Sequence, residues 1–386
     1  MNTNYKIIKE FGSQEITSSI LERISNIAQS RSMELHPFLK NGLFSSHRDL
    51  EKILDHYEDG KPFYIYTGRG PSSSSLHLGH LVPFIMTKYL QDLFQVPVII
   101  QITDDEKYYN AEQVKGQPKS KLDHFQEIAK ENIKDIISIG FDSTRTYIFQ
   151  NSWNIDLLYP EIIKANKIIN LNQLQNVFGS TESDSIGKIS FPVIQIVPSF
   201  AQTFQSIFPS IPDFNLKDVR CLIPCAIDQD PYFRLTRDIA PRLGYHKPSL
   251  IHSGFFASLF GDSKMSSSAK DPNSVIFINE TPKQVQKKIN KYAFSGGRDT
   301  IEEHRLYGGN PEVDICCQYL KYLLDDQPRY ETILSGYRSG YLLSGELKKI
   351  TIDIINQILK EYQELRRSVD EETYQEYTTR KILKFN

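Results

Sequence analysis

Cysteine is scarce, with four in 386 residues, and none is spaced for a metal. Cys221 and Cys225 lie on an apolar, strand-like stretch, and Cys316 and Cys317 are adjacent, so there are no paired Cys-x-x-Cys units and no histidines at ligand spacing. No protein-bound zinc is expected, and the thiols read as reduced core residues. No apolar run of about 18 residues occurs that could cross a membrane. The N-terminus has no basic segment followed by an apolar stretch, and its Lys6, Lys9, Glu10 and Glu15 do not suit an acid-poor organelle presequence. A cytoplasmic protein with no membrane partner is the expectation. The phosphate loop Gly-x-x-x-x-Gly-Lys-Ser/Thr is missing, since Gly187-Lys188 lacks both the preceding glycine and the following hydroxyl, which removes the main support for a kinase or ATPase of that type. An excess of one charge is missing as well: the net charge is -2, so any nucleic-acid contact has to come from a local patch. Lys283, Lys287 and Lys291 share one helical face and equally suit a solvated surface.

What is present is alternation. Residues 62–68 read as a strand, 77–94 as a helix, 96–103 as a strand, 121–140 as an amphipathic helix and 146–150 as a strand. A helical middle over 160–208 follows, then a strand at 220–227, a helix after Pro231 and a strand at 249–252. Such a pattern predicts an α/β fold, a Rossmann-like doubly wound parallel sheet. Ligands on that architecture bind beyond the carboxyl ends of the strands, which are residues 66–70, 101–106 and 228–230. After about residue 280 helical periodicity takes over, at 313–324, 341–367 and 371–383. The expected organisation is an N-terminal extension, 1–60, with helices at 18–31 and 47–57 packing on the core. A catalytic domain, 61–280, carries a helical insertion at about 155–210, and a helical domain, 281–386, ends the chain.

Two motifs carry the chemistry. The run from Gly68 to His80 leads into a long apolar-periodic stretch, and its His77-Leu78-Gly79-His80 places two imidazoles three residues apart beside a helix N-terminus, where free amides and the dipole favour phosphate. Gly79 between them lets a flat base approach the backbone. Alone, the pair suits simple helix capping equally well. Nearly two hundred residues on, Lys264-Met265-Ser266-Ser267-Ser268 joins a mobile cation to small hydroxyls, suiting a loop that follows charge onto a leaving pyrophosphate. Together the motifs point to adenylate chemistry on ATP.

These residues resemble the signature pair of the class I aminoacyl-tRNA synthetases. The stretches 62–83, 101–108, 187–192, 222–236 and 293–305 are similar, across nearly the whole chain, to the tryptophanyl-tRNA synthetases of the eukaryotic and archaeal branch. The resemblance implies that the C-terminal α-helical domain binds the anticodon. It also implies that the substrates are L-tryptophan, ATP with Mg2+ held mostly by phosphate oxygens, and tRNA(Trp), and that the chain forms a homodimer. It names Lys264, His77 and His80 as catalytic, and Arg69, Gly70, Gly79, Asp228, Met265, Ser266 and Ser268 as ATP-binding, with Asp228 on the ribose. Tyr66 and Gln101 would accept the indole N–H, Glu106 and Gln195 would meet the ammonium group, Gln229 would meet the head group, and Arg298 and Asp299 would meet anticodon bases. A site built around the buried indole N–H can reject an analogue lacking it by roughly 10^4 to 10^5. Asp104 and Asp105, beside Glu106, cannot all point at one ion and read as structural neighbours. Asp230 before Pro231 reads as a helix N-cap, and the apolar segment 194–208 as either a subunit interface or a buried core helix. The motif departs from the class pattern at Ser267, where a second lysine is common, and at an apparent insertion, Ala269-Lys270. A small-molecule nucleotidyltransferase, a tyrosine-specific synthetase and a catalytically silent binder remain as alternatives.

Overall fold

The computed structural model describes residues 11–111, 122–208, 214–261, 263–266 and 271–385. Ser267, Ser268 and the Ala269-Lys270 insertion lie outside them. Among the described residues seven strands form one sheet in the order β1-β2-β7-β6-β3-β4-β5. They are β1 (Gln14–Glu15), β2 (Phe44–Arg48), β3 (Phe63–Arg69), β4 (Val98–Ile102), β5 (Thr146–Gln150), β6 (Arg220–Ala226) and β7 (Ser249–Ser253). β3 to β7 are mutually parallel. The chain runs from β3 outward through β4 to β5, then returns to the other side of β3 for β6 and β7, so the order reverses between β3 and β6. That reversal opens a crevice at the carboxyl ends of the two strands.

Alternation along each strand splits the sheet into two apolar layers. Phe63, Ile65, Val98, Ile100, Ile102, Ile148, Leu222 and Ile251 face one core, and Tyr64, Tyr66, Ile99, Tyr147, Phe149, Cys221, Ile223 and Leu250 face the other. Strands apolar on both faces belong in a parallel sheet covered on both sides. On the first face pack α1 (Ser18–Ser30), α2 (Pro37–Lys40), α3 (Leu50–Glu58), α4 (Leu78–Phe94) and α6 (Leu122–Ile137); α5 (Asp104–Asn110) follows β4 at the rim. On the second face lie α7 (Asn151–Asn166), α8 (Leu171–Phe178), α9 (Ile186–Ile196) and α10 (Asp230–Leu243). The other α-helices among the described residues are α11 (Pro282–Tyr292), α12 (Ile301–Tyr307), α13 (Ile315–Leu323), α14 (Gln327–Arg338), α15 (Ser344–Ser368) and α16 (Glu371–Thr378). Their apolar faces, through Val285, Ile289, Ile315, Leu347, Ile355 and Leu359, extend the first core rather than starting another.

Three expectations need correction. The first sixty residues do more than pack on the core, because β2 joins the sheet antiparallel to β7 and β1 pairs with β2. The helical middle begins at Asn151, and Pro160 lies inside α7. Asp230 is not a side-chain cap: Gln229 holds the cap position, and the Asp230 carboxylate takes Arg48 of β2 in a two-pronged bond, Nε at 2.7 Å and Nη2 at 2.8 Å. Burial alone would raise that carboxyl, but Arg48 and His252 bring it down to about 2. The N-terminal strand is therefore bolted beneath the turn that carries Asp228 and Gln229.

Candidate active site

At the switch point lies a cavity of about 340 Å³. Its walls include Tyr66, Arg69, Gly70, His77, Gly79, His80, Gln101, Glu106, Gln195, Asp228, Gln229, Lys264, Met265 and Ser266. Every candidate catalytic, ATP-binding or tryptophan-binding residue within the described residues thus lines one space. Arg298 and Asp299 do not. They are exposed on the loop before α12, where Arg298 Nε donates to the Gly308 carbonyl at 3.0 Å.

His77 is the N-cap of α4, and His80 is its third residue. His77 Nδ1 accepts the His80 backbone N–H at 3.3 Å, and His80 Nδ1 accepts the His77 N–H at 3.5 Å. The rings stack with centroids 3.4 Å apart. Burial first, and the Arg69 guanidinium second, lower the His77 imidazole to about 3 and push His80 down as well. Both rings are therefore neutral near pH 7. Since Nδ1 is an acceptor, the proton sits on Nε2, and buried His77 Nε2 has no partner among the described residues. Capping thus leaves one N–H unspent in the cavity wall, at a helix N-terminus where anions bind. Arg69 adds positive charge there. Burial pulls it down only to about 10, so it stays cationic.

The second motif reaches this spot along a hairpin. Met265 N–H bonds the Phe256 carbonyl at 2.8 Å, and Lys264 pairs across with Ala257. Met265 Sδ accepts the Gly79 N–H at 3.4 Å, and a Cβ on Gly79 would sit 3.3 Å from Met265 Cβ and 3.2 Å from His77 Cε1. Gly79 thus lets the two motifs touch. Lys264 Nζ lies 2.6 Å from Asp228 Oδ2 and 5.0 Å from the centre of the Phe255 ring. Phe255 carries no motif signal and was not expected in the site.

Another part of the cavity wall is a chain of polar groups, buried at Tyr66 and Gln101 and half-buried at Gln195 and Gln229. Tyr66 Oη lies 2.6 Å from Gln101 Oε1 and 2.8 Å from the Gln195 carbonyl oxygen. Gln195 Nε2 reaches Gln229 Oε1 at 3.5 Å. Gly70 leaves room for Glu106, whose Oε2 would lie 2.6 Å from a Cβ there. Asp104 and Asp105 face away: Asp104 takes the Ser152 N–H and hydroxyl, and Asp105 Oδ1 takes Asn151 Nδ2 at 2.8 Å and the Glu106 N–H at 2.9 Å. Asn151 went unremarked in the sequence, because its partners lie about fifty residues away. Among the described residues no three His, Cys, Asp or Glu side chains come together as a ligand set for a metal ion.

Residues 58–360 match the family model described as tRNA synthetases class I (W and Y). The chain is 50% identical over 385 residues to the cytoplasmic tryptophan–tRNA ligase of Mus musculus, covering 99% of this chain and 76% of that protein. The corresponding Homo sapiens protein is 49% identical, with 99% and 78% covered. A crystal structure of Plasmodium falciparum tryptophanyl-tRNA synthetase superposes with a TM-score of 0.87 at 45% identity, covering 98% of this chain and 95% of that one.

Proposed function

The chain belongs to the class I tRNA synthetases for tryptophan and tyrosine, and from that membership and the cavity we infer the roles set out below. It is an enzyme, a ligase that activates L-tryptophan with ATP and charges the corresponding tRNA. The observation that carries the residue assignment is the meeting of both motifs with the Tyr66–Gln101 pair in one cavity. A tyrosine-specific site would want an acid poised for a phenol. Here a buried hydroxyl and a buried amide carbonyl line the cavity, chemistry that accepts one indole N–H.

The tryptophan carboxylate attacks the α-phosphate, and pyrophosphate leaves. The tRNA 3′ hydroxyl then attacks the acyl carbonyl of the adenylate, forming the ester and releasing AMP and a proton. No covalent enzyme intermediate is needed, so catalysis is positioning plus stabilisation of developing phosphate charge. His77 offers its free Nε2–H, Arg69 its charge and α4 its amide end, while Gly70, Gly79, Met265, Ser266 and Ser268 shape the nucleotide's surroundings. Lys264 leaves Asp228 and follows the charge onto pyrophosphate, which frees Asp228 for the ribose hydroxyls. Glu106, Gln195 and Gln229 hold the ammonium and head group. Magnesium would arrive with the nucleotide and would supply partial neutralisation of its phosphate charge.

A helical anticodon-binding part after about residue 280, with Arg298 and Asp299 meeting the bases, belongs to the same reading, their role supported by the exposure of both side chains. So does a cytoplasmic setting, which the mouse and human relatives carry in their names. So does homodimerisation. The segment 194–208 is an unsuitable interface, because Ile196, Val197, Phe200, Phe204 and Phe208 are buried in the second core. Ile155, Tyr159 and Ile163, spaced four apart on α7 and 40%, 57% and 54% exposed, offer a better face. The test is amino-acid-dependent ATP–pyrophosphate exchange across all twenty amino acids, with Lys264→Ala as control. Exchange with tryptophan alone, largely lost in the variant, supports the assignment. Exchange with tyrosine overturns the pocket reading.

A further inference from the structure

We propose that Asn151 is a positioning residue for substrate selection, which holds the Gln101 amide so that its oxygen faces the indole pocket. The proposal rests on the assignment of Tyr66 and Gln101 to the indole N–H. Asn151 does not line the cavity. It opens α7 at the carboxyl end of β5 and is fully buried, as is Gln101.

An amide side chain is nearly symmetric in shape, so packing alone does not decide whether a glutamine presents its oxygen or its NH2 to a ligand. Hydrogen bonds decide it, and here they run one way. The Asp105 carboxylate can only accept, and its Oδ1 is pinned by the Glu106 backbone N–H at 2.9 Å. Asn151 must therefore turn its NH2 toward Asp105, which it does at 2.8 Å. That leaves Asn151 Oδ1 facing Gln101, whose Nε2 donates to it at 2.8 Å and also donates to the Ile194 carbonyl at 3.2 Å. Both Gln101 amide hydrogens are spent, so Oε1 is the group left for Tyr66 and the pocket, at 2.6 Å from Tyr66 Oη. A flipped Gln101 would aim an N–H at the indole N–H and leave two acceptors behind it unpaired. Burial raises Asp105 to about 6, with Asp104 adding to the rise and Asn151 opposing it. Near pH 7 the acceptor end of the chain is accordingly ionised.

The experiment compares tryptophan with its benzothiophene analogue, in which sulfur replaces the indole N–H, by pyrophosphate exchange in the full-length chain. Asn151→Leu removes both hydrogen bonds at similar volume. It is expected to lower the preference for tryptophan over the analogue by tenfold or more, with KM for ATP within about twofold of wild type, since a buried N–H is left unpaired. Asn151→Ala, the second variant should the leucine form not fold, gives the same loss. Asn151→Asp keeps an acceptor against Gln101 Nε2, provided that it shares one proton with Asp105 across the 2.8 Å contact, and retains the preference within about threefold. Equal losses for both amino acids in Asn151→Leu or Asn151→Ala, or a preference unchanged in them, overturn the proposal. A wild-type enzyme that activates tryptophan yet treats the two alike overturns the Tyr66–Gln101 assignment beneath it, a result read before any variant is made.

Discussion

Helix α15, far along the chain from the first motif, holds the residues on either side of His77 through Asp135 and the 276–280 backbone, and Arg366→Met tests whether that hold matters to catalysis. Arg366 Nε lies 2.9 Å from Asp135 Oδ1 and its Nη2 2.6 Å from Glu131 Oε2. The other Asp135 oxygen takes the N–H of Leu76, the residue before His77, at 3.0 Å. One turn earlier, Gln363 donates to the carbonyls of Ile278 at 2.7 Å and Glu280 at 3.0 Å, and the adjoining backbone bonds Leu76 and Leu78. Burial raises the Asp135 carboxyl, with the Leu76 amide and Arg366 opposing the rise. Removing the guanidinium therefore leaves a nearly buried carboxylate without its counter-charge. A charge-assisted bond contributes about 1.5–3 kcal/mol, and Arg366 is 26% exposed, so a loss of about 2 kcal/mol is expected. At roughly 2.1 cal/mol/K per residue, this chain has an unfolding entropy near 0.8 kcal/mol/K, and the melting temperature should fall by about 2–3 °C. The catalytic effect is separate. A loosened Leu76 lets His77 Nε2 drift from the phosphate, and misplacement by about 1 Å can cost a hundredfold; a partial drift should lower kcat of pyrophosphate exchange by about three- to tenfold. KM for tryptophan should hold, because Tyr66 and Gln101 are anchored by β3, β4 and α7. Melting by calorimetry and exchange kinetics measure the two effects. A lowered melting temperature with kcat unchanged would refute the link from α15 to His77.

Lys264→Ala should lower the exchange rate by about 10²–10³ while leaving the melting temperature within about 1 °C. The Lys264 and Asp228 side chains are 47% and 33% exposed, and such a pair contributes little stability; a drop of several degrees would make the lysine structural. Gly79→Ala places a methyl 3.2 Å from His77 Cε1 and 3.3 Å from Met265 Cβ, so the motifs must part and KM for ATP should rise roughly tenfold; an unchanged KM counts against their close approach. Gly187→Ala puts a carbon 2.5 Å from the Tyr109 ring and should destabilise by about 1–3 kcal/mol, read in a urea titration that would otherwise show no shift. Because His77 stays neutral down to about 3, the unfolded chain binds a proton there between pH 6.5 and 3 that the native chain refuses. Stability from this site is complete above pH 6.5 and is lost as pH falls, by at most about 1.4 kcal/mol per unit. Conversely, kcat should show no titration near 6.5 in Lys264-competent enzyme, and a clear one would mean that a protonated histidine takes part.

The parallel strands were legible because nothing competes with their signal. Thr146–Gln150 is apolar enough on both faces that its bounds agree residue for residue with the periodicity. β2 was not. Phe44–Arg48 reads as polar, and it is a strand because its backbone pairs with β7, where Ser46 meets His252 at 3.1 Å, and Arg48 meets Asp230 at 2.7 Å, partners about two hundred residues away. Asp230 misled for the same reason. Its position before Pro231 suits a cap, but a cap needs the carboxylate to turn back on its own helix, and the Arg48 fork outcompetes one backbone N–H. The seven-residue α12 and the twelve-residue α14 also escaped notice, since each carries too little apolar periodicity to stand out from a loop.

The site divides along the same line. Residues that would touch substrate sit in two compact motifs, and their spacing is itself the signal. Residues that act through them, Asn151 behind Gln101 and Arg366 behind Leu76, act across 50 and more than 200 positions and leave no local trace. His77 shows why even the legible part was ambiguous. Helix capping and phosphate binding looked like competing readings of His77-Leu78-Gly79-His80, yet the ring does both with different atoms. Nδ1 closes the helix end by accepting the His80 N–H, and that bond fixes the proton on Nε2 and turns it into the cavity wall. A shorter asparagine at 77 could cap but would present no second donor at that distance. The capping bond is therefore what prepares the donor, and the stretch needs a histidine at 77 where capping alone would be satisfied by serine, threonine, aspartate or asparagine.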